Sequence, residues 1–275
     1  MARTRTIRTE TIVLRHQVFG EADRLLTLLT PNQGKVRAIA KGVRRPSSRK
    51  TGHLDLYMRS DVLLASGRNL YVITQAQTID AYRPLREDLI RSSYASCSIE
   101  LLDSFTPDGE PNIDLYYLLG KMLSRVSTSD NLSIVMRHYE LHLLEMVGFR
   151  PELEFCLGDN KSIQPENQYF DALAGGVLCP NCGIGRRNIL PVSVDALKLM
   201  RFLQRNNYSS INNLNVRSKI AAEIEKIQIH YISIQLERQL KSVDFLDRVR
   251  RLDINSFVNM NLFLALSIQN FSRHL

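Results

Sequence analysis

No apolar run in this 275-residue chain is long enough to span a bilayer; the longest, Leu262 to Ile268, falls far short of the roughly 20 residues a helix needs. The basic start, Met1-Ala2-Arg3-Thr4-Arg5, leads into no apolar h-region, so no secretory signal is expected. Enzyme signatures are missing as well. There is no Gly-x4-Gly-Lys-Ser/Thr, no Gly-x-Gly-x-x-Gly and no Gly-x-Ser-x-Gly, so nothing proposes a reaction. Acidic pairs such as Glu87-Asp88 read as solvated charges on helix faces. His138 and His142 stand four apart but lack the glutamate after the first histidine that a zincin helix requires, and read as helix-surface or packing residues. His16 and His53 fall in a strand-rich region and form no site. Only four cysteines occur, enough for two disulfides at most, and two of them sit in Cys179-Pro180-Asn181-Cys182. That spacing suits a metal or redox pair in a reducing compartment, so the expected location is the cytoplasm.

What the chain does have is one strongly charged segment. Residues 1–50 carry twelve Lys and Arg against three acids, an excess of nine where the whole chain carries +8. Everything after residue 50 is therefore close to neutral, and the field is local. The same region alternates like strands: Arg8 to Arg15, Arg24 to Thr30, Gly34 to Lys41, Leu54 to Ala65 and Asn69 to Ile79 are rich in Val, Ile, Leu, Thr and Tyr. Turn signals separate them at Phe19-Gly20, Pro31 to Gly34, Pro46 to Ser48 and Ser66 to Asn69. Five short strands in residues 1–80 predict an OB-fold barrel, with an SH3-like barrel also allowed by composition.

In Lys35-Val36-Arg37-Ala38-Ile39-Ala40-Lys41 the apolar residues 36, 38 and 40 take one face, and Lys35, Arg37 and Lys41 the other. The basic loop Arg44-Arg45-Pro46-Ser47-Ser48-Arg49-Lys50 follows directly. A cationic strand face running into a cationic loop suits the phosphates of a nucleic acid. Lys35, Arg37, Lys41, Arg44, Arg45, Arg49 and Lys50 are the candidate contacts, and four to six of them on single-stranded DNA predict a salt slope of about −3 to −4. Tyr57 and Tyr71, read as strand residues, could offer stacking surfaces but are better explained as barrel packing residues.

After Tyr82 the period changes, and residues 81–275 read as a helical bundle. Leu85 to Phe105 reads as one helix opened by Pro84, and Ile113 to about Val126 as the next. Leu132, Val135, Met136, Tyr139, Leu143 and Val147 mark a third, with Asp130 as its expected N-cap. Helices resume near Ser193, and Ile220, Ile224, Ile227, Tyr231 and Ile234 form one stripe. Residues of about 152–191 have no helical period and hold three cysteines. Cys179-Pro180-Asn181-Cys182-Gly183 has the form of a zinc knuckle, and Cys156-Leu157-Gly158-Asp159 supplies a cysteine and an aspartate at the matching offset. The expected site is zinc held by Cys156, Asp159, Cys179 and Cys182. Cys97 is expected to be a core thiol.

Several stretches resemble the bacterial RecO family of recombination mediators. They are Thr11 to Arg15, Gly20-Glu21-Ala22-Asp23-Arg24-Leu25-Leu26-Thr27-Leu28-Leu29-Thr30, and Gly34 to Arg45. The match continues through Ala81-Tyr82-Arg83-Pro84-Leu85-Arg86-Glu87-Asp88, Leu144 to Phe149, Gly175 to Cys182 and Leu240 to Leu246, covering roughly residues 8–250. The resemblance implies an N-terminal OB-fold, a helical domain and an inserted zinc ribbon. It implies a non-enzymatic protein that binds single- and double-stranded DNA, anneals complementary strands and works with RecR. It further implies help in loading RecA onto DNA coated by single-strand-binding protein, whose acidic tail docks on the helical domain. Three departures stand out: Asp159 replaces a cysteine of zinc-binding members, Val243-Asp244 replaces a usually basic pair, and Asp253 to Leu275 looks like an extension expected to cover the bundle, with a partner-binding helix as the alternative. The rival expectations are an OB-fold RNA- or ribosome-binding factor and a zinc-dependent enzyme. The latter lacks any clear open metal position or general base.

Overall fold

The computed structural model describes residues 6–211 and 214–252; the expected extension over 253–275 lies outside them. Strands β1 (Thr6–Phe19), β2 (Asp23–Thr30), β3 (Gly34–Ala40), β4 (Arg59–Ser66) and β5 (Tyr71–Asp80) close into a barrel in the order β1-β2-β3-β5-β4. All pairings are antiparallel except β3 with β5, which is parallel and covers only Ala38↔Tyr71 and Ile39↔Val72. This is the OB arrangement. Alternation sends Val13, Leu26, Leu28, Val36, Ala38, Ala40, Val62, Leu64 and Ile73 into the barrel interior.

Part of the barrel's outer face is also covered. Ile12, Leu14 and Leu29 point outward into a larger core built with the helices. The Leu85 to Phe105 stretch is not one helix: Asp88 is extended, ends the single turn α1 (Pro84–Glu87), and caps α2 (Leu89–Phe105) by accepting from Arg91 N at 2.9 Å. The acid read as a solvated charge is therefore a cap. Helices α3 (Ile113–Thr128) and α4 (Leu132–Met146) follow. The N-cap of α4 is Asn131 rather than Asp130, its side chain accepting from Ile134 N at 3.3 Å.

The cysteine module holds β6 (Gln168–Asp171), β7 (Gly176–Leu178), the one-turn α5 (Pro180–Gly183) and β8 (Ile189–Val192), with the strands in a small sheet ordered β7-β6-β8. Helices α6 (Val194–Arg205), α7 (Tyr208–Ile211) and α8 (Ser218–Gln235) return to the bundle, and residues 241–252 form a last helix, α9. Ser193 caps α6 through Ala196 N at 3.2 Å. Cys97 is buried, and burial pushes its thiol up to about 12. His138 and His142 stack with ring centroids 4.1 Å apart and tie α4 to the end of α6 through Asn206 O (3.0 Å) and Leu203 O (3.2 Å).

A buried ion network closes the bundle. Arg137 meets Glu140 at 2.9 Å and Glu225 at 3.7 Å, and Glu225 also takes Arg250 of α9 at 2.9 Å. Arg250 reaches the Tyr94 hydroxyl of α2 as well. Four helices thus share one set of charges.

Candidate nucleic-acid interface and metal centre

The outer face of the barrel is graded along its strands. Arg15 lies opposite Thr27, and Thr27 opposite Arg37, so these three side chains form a row across β1, β2 and β3 on one face. One row inward, Leu29 and Lys35 disappear beneath the helices. One row outward, Gln17, Leu25 and Ile39 lead to the β1–β2 turn, where Val18 and Phe19 are exposed.

Chain folding sorts the excess charge. Arg8 pairs with Asp61, Arg15 with Asp103, Arg24 with Asp55, and Lys35 with Asp103 and Asp108. Among the described residues, Arg37, Lys41, Arg44, Arg45, Arg49 and Lys50 make no ion pair. The positive field therefore concentrates in residues 37–50, even more narrowly than counting charges indicates.

Two of the seven expected contacts have other tasks. Lys35 is buried, 8% exposed, and its ammonium lies 2.6 Å from Asp103 Oδ1, 2.9 Å from Thr106 O and 3.2 Å from Asp103 O. It shares Arg37's face, as alternation requires, but that part of the face is covered by the α2–α3 connection. Lys35 pins the barrel to the helices and is corrected out of the candidate interface. Lys50 is half-buried, with Nζ donating to Ile73 O at 3.0 Å, and burial lowers its pKa. It anchors the basic loop to β5.

The other five are exposed. Three bonds fix the start of the basic loop to the β1–β2 turn: Gly42 N to Asp23 Oδ1 (2.7 Å), Arg44 N to Ala22 O (2.9 Å) and Arg44 Nη1 to Glu21 O (3.1 Å). The start of the loop is thus tied to the turn that follows the exposed Phe19. Sequence reasoning missed Phe19, which was read only as turn punctuation. It also missed Arg68, in the turn Ser66 to Asn69. Arg68 and Tyr71 line a cleft of about 460 Å³ with Arg37. Tyr71 is half-buried on β5. Tyr57, by contrast, precedes β4 in a left-handed conformation (φ 71°) and is buried at the helix junction, its hydroxyl 2.8 Å from Ser96 Oγ. It packs and offers no stacking face.

The cysteine module assembles its four donors. Residues 156–161 turn tightly, with Asn160 N on Cys156 O (2.8 Å) and Cys156 N on Lys161 O (2.8 Å). Cys179 opens α5, and Leu157 N on Val177 O (2.9 Å) clamps the two turns together. Gly158 is required here: a Cβ would lie 2.7 Å from Cys182 Sγ. The three sulfurs and an Asp159 oxygen all fall within 4.8 Å of one another. A tetrahedral ion with metal–sulfur bonds of about 2.3 Å sets sulfurs about 3.8 Å apart, so the group is of the right size to hold one.

Its electrostatics are those of a cation site. Burial opposes ionisation of Cys156, but N–H donors, among them Cys179 N and Gly158 N at 3.3 Å each, outweigh it and lower the thiol's pKa. Hydrogen bonding to Cys179, and after it burial and the crowding of Cys156, pushes Cys182 up to about 12. Three thiolates cannot share this space without a positive ion. The Asp159 carboxyl is held below the usual range by its bond with Cys156 and by Lys161, whose ammonium is 3.3 Å away.

Fold and sites together define an OB barrel with a cationic outer face, joined to a helical body that carries a ribbon whose three cysteines and aspartate could hold a metal ion. Comparison with known proteins agrees in both halves. The model of the recombination protein O N-terminal domain matches residues 1–82, and that of the C-terminal domain matches residues 86–244. A DNA repair protein RecO of Dehalococcoides mccartyi is 35% identical over 257 residues, covering 92% of this chain and all of the relative. One from a Roseiflexus species is 36% identical over 250 residues, covering 91% and 88%. Another, from Symbiobacterium thermophilum, is 36% identical over 242 residues, covering 87% and 96%. The chain belongs to the RecO family. No helix among the described residues is long and apolar enough to cross a membrane.

Proposed function

We propose that this chain is a cytoplasmic, non-enzymatic recombination mediator that holds single- and double-stranded DNA on the open part of its barrel and anneals complementary strands. The observation that carries this reading is the set of exposed cations without ion pairs, Arg37, Lys41, Arg44, Arg45 and Arg49, of which Arg37 lines a cleft with Arg68 and Tyr71. Two DNA strands repel each other through their phosphates. A cationic face that displaces their counterions lowers that repulsion and raises the local strand concentration without touching the base edges that must pair. The half-buried Tyr71 and exposed Phe19 add sequence-tolerant stacking. In the family's pattern the helical body serves RecR and the acidic tail of single-strand-binding protein, and so assists the loading of RecA.

Zinc is the metal whose chemistry matches three thiolates and a carboxylate, held by Cys156, Cys179, Cys182 and Asp159. With four protein donors, a bound zinc would stabilise the ribbon and would have no position left to activate a water. The test is the salt dependence of binding to single-stranded DNA. Arg44→Ala with Arg45→Ala should flatten the log–log salt slope by about 1.4, at about 0.7 per phosphate contact, and slow annealing in parallel. Unchanged slope and annealing rate would remove the barrel face from the mechanism.

A further inference from the structure

The cationic cleft does not end where the barrel meets the helices. The cleft beside the β4–β5 turn (about 460 Å³) shares Lys35, Arg37 and Asp108 with a second, of about 450 Å³, that crosses β1, β2 and β3. The second shares Arg15 and His16 with a third, of about 590 Å³, whose far wall is Glu100 of α2, Arg238, and Lys241 and Ser242 at the start of α9. Three neighbouring clefts thus follow one another from the barrel to the helical body.

The far end is built rather than incidental. The link from α8 to α9 passes through Glu237, a non-glycine residue in the left-handed region (φ 53°). Arg238 N then bonds Ser233 O (3.2 Å), and its guanidinium donates to Ser104 Oγ at 2.6 Å. The start of α9 is fixed in turn, since the Glu100 carboxylate accepts from Lys241 N (3.1 Å) and Ser242 N (2.8 Å). The acids along these clefts have partners: Glu100 those N–H groups and the nearby charge of Arg238, Asp103 Lys35 and Arg15, Asp108 Lys35. Arg238 and Lys241, both exposed, make no ion pair among the described residues.

We infer that the helical body carries a second segment of the nucleic-acid site, in which Arg238 and Lys241 hold the phosphates of a strand leaving the barrel past Arg15. The ligand class is single-stranded nucleic acid, because the cleft that carries Arg238 and Lys241 neighbours those lined by Arg37 on the barrel face. The inference rests on the reading of the barrel as the primary grip. It also gives Leu240 to Leu246 a role that does not depend on the missing basic pair at Val243-Asp244.

Oligonucleotide length separates the two segments. An oligothymidylate of about 8 nucleotides fits one OB barrel, whereas one of about 30 reaches beyond it. With the full-length protein, Arg238→Gln with Lys241→Gln should weaken the long ligand about 5-fold or more and flatten its salt slope by about 1.4. The short ligand should change less than about 2-fold. Arg37→Ala should weaken both. Equal loss at both lengths, no loss at either, or loss only toward an acidic peptide would overturn the second segment. If Arg37→Ala affects neither length, the barrel reading itself fails. Thermal unfolding of each variant keeps folding defects distinct, and Lys241→Gln alone, with its exposed side chain, retains half of the slope effect if Arg238→Gln perturbs the turn.

Discussion

Replacing Lys35 by alanine tests whether this lysine pins two units together or touches DNA. The ammonium sits 2.6 Å from Asp103 Oδ1 and 3.2 Å from Asp108 Oδ1 and also donates to two carbonyls, with Lys35 8% and Asp103 14% exposed. Breaking a buried pair from one side costs about 3–5 kcal/mol, because the partner is left desolvated. Asp103 keeps Arg15, which brings the cost down to about 2–4 kcal/mol. For a chain of this size that corresponds to a melting temperature lower by about 6–12 °C. A cycle with Asp103→Ala should return a coupling of about 1–3 kcal/mol. Meanwhile the salt slope for single-stranded DNA should barely move, whereas Arg37→Ala should flatten it by about 0.7. A Lys35→Ala protein that melts like the parent yet loses a full phosphate contact's worth of slope would refute the burial argument.

Other outcomes follow from the same geometry. Phe19→Ala should weaken single-stranded DNA binding by about 1–3 kcal/mol while leaving the salt slope intact, as expected for a stacking contact; a changed slope would point to disturbed cations instead. Metal analysis of the purified protein should find one zinc per chain, lost in Cys179→Ser and retained in Cys97→Ala. Asp159→Cys should hold zinc more tightly against a chelator, and indifference of zinc content to Cys179 would dismiss the site. Burial, then the neighbouring His142, pushes His138 down to about 3, so between pH 6.5 and about 3 the unfolded chain binds a proton that the folded chain refuses. Stability from this group is therefore complete above pH 6.5 and falls with acidification by about 1.4 kcal/mol per unit. Urea denaturation across that range should show a shallower acid loss in His138→Gln. Glu140, raised to about 7 by burial, acts in the opposite sense, weakening the fold as pH rises from 4.5 to 7.

Local pattern was enough for the barrel and the helices, because strand alternation and helical period are written in neighbouring residues. Val36, Ala38 and Ala40 announce an interior, and Leu132 to Val147 a buried stripe. The donors Cys156, Asp159, Cys179 and Cys182 were legible for a similar reason, since each pair lies within one turn. What alternation cannot show is which part of an outward face another unit covers. Lys35 and Arg37 look equivalent in sequence, and only the α2–α3 connection distinguishes them. The same blindness hid Arg68 and Arg238, each alone in its stretch and meaningful only beside residues far away in the chain. Asp88 and Asn131 show the limit at smaller scale: a cap is decided by backbone direction, and neighbouring polar residues compete for the position.

The seam between β3 and β5 has a consequence for how this architecture can evolve. Only two residue pairs close it, and beside them Lys35 bridges Asp108 of the helical body, with Gly109 N on Lys35 O at 2.9 Å. At the adjoining turn Gly34, with φ 64°, sits so close to the Glu110 backbone that any Cβ would overlap it. The helical body therefore supplies part of the barrel's own edge. Transplanting this barrel into another protein would carry an open seam with it, and a graft between relatives must move the 106–112 loop together with the strands. Inheritance acts on the joint, and the two halves are constrained to diverge as a pair.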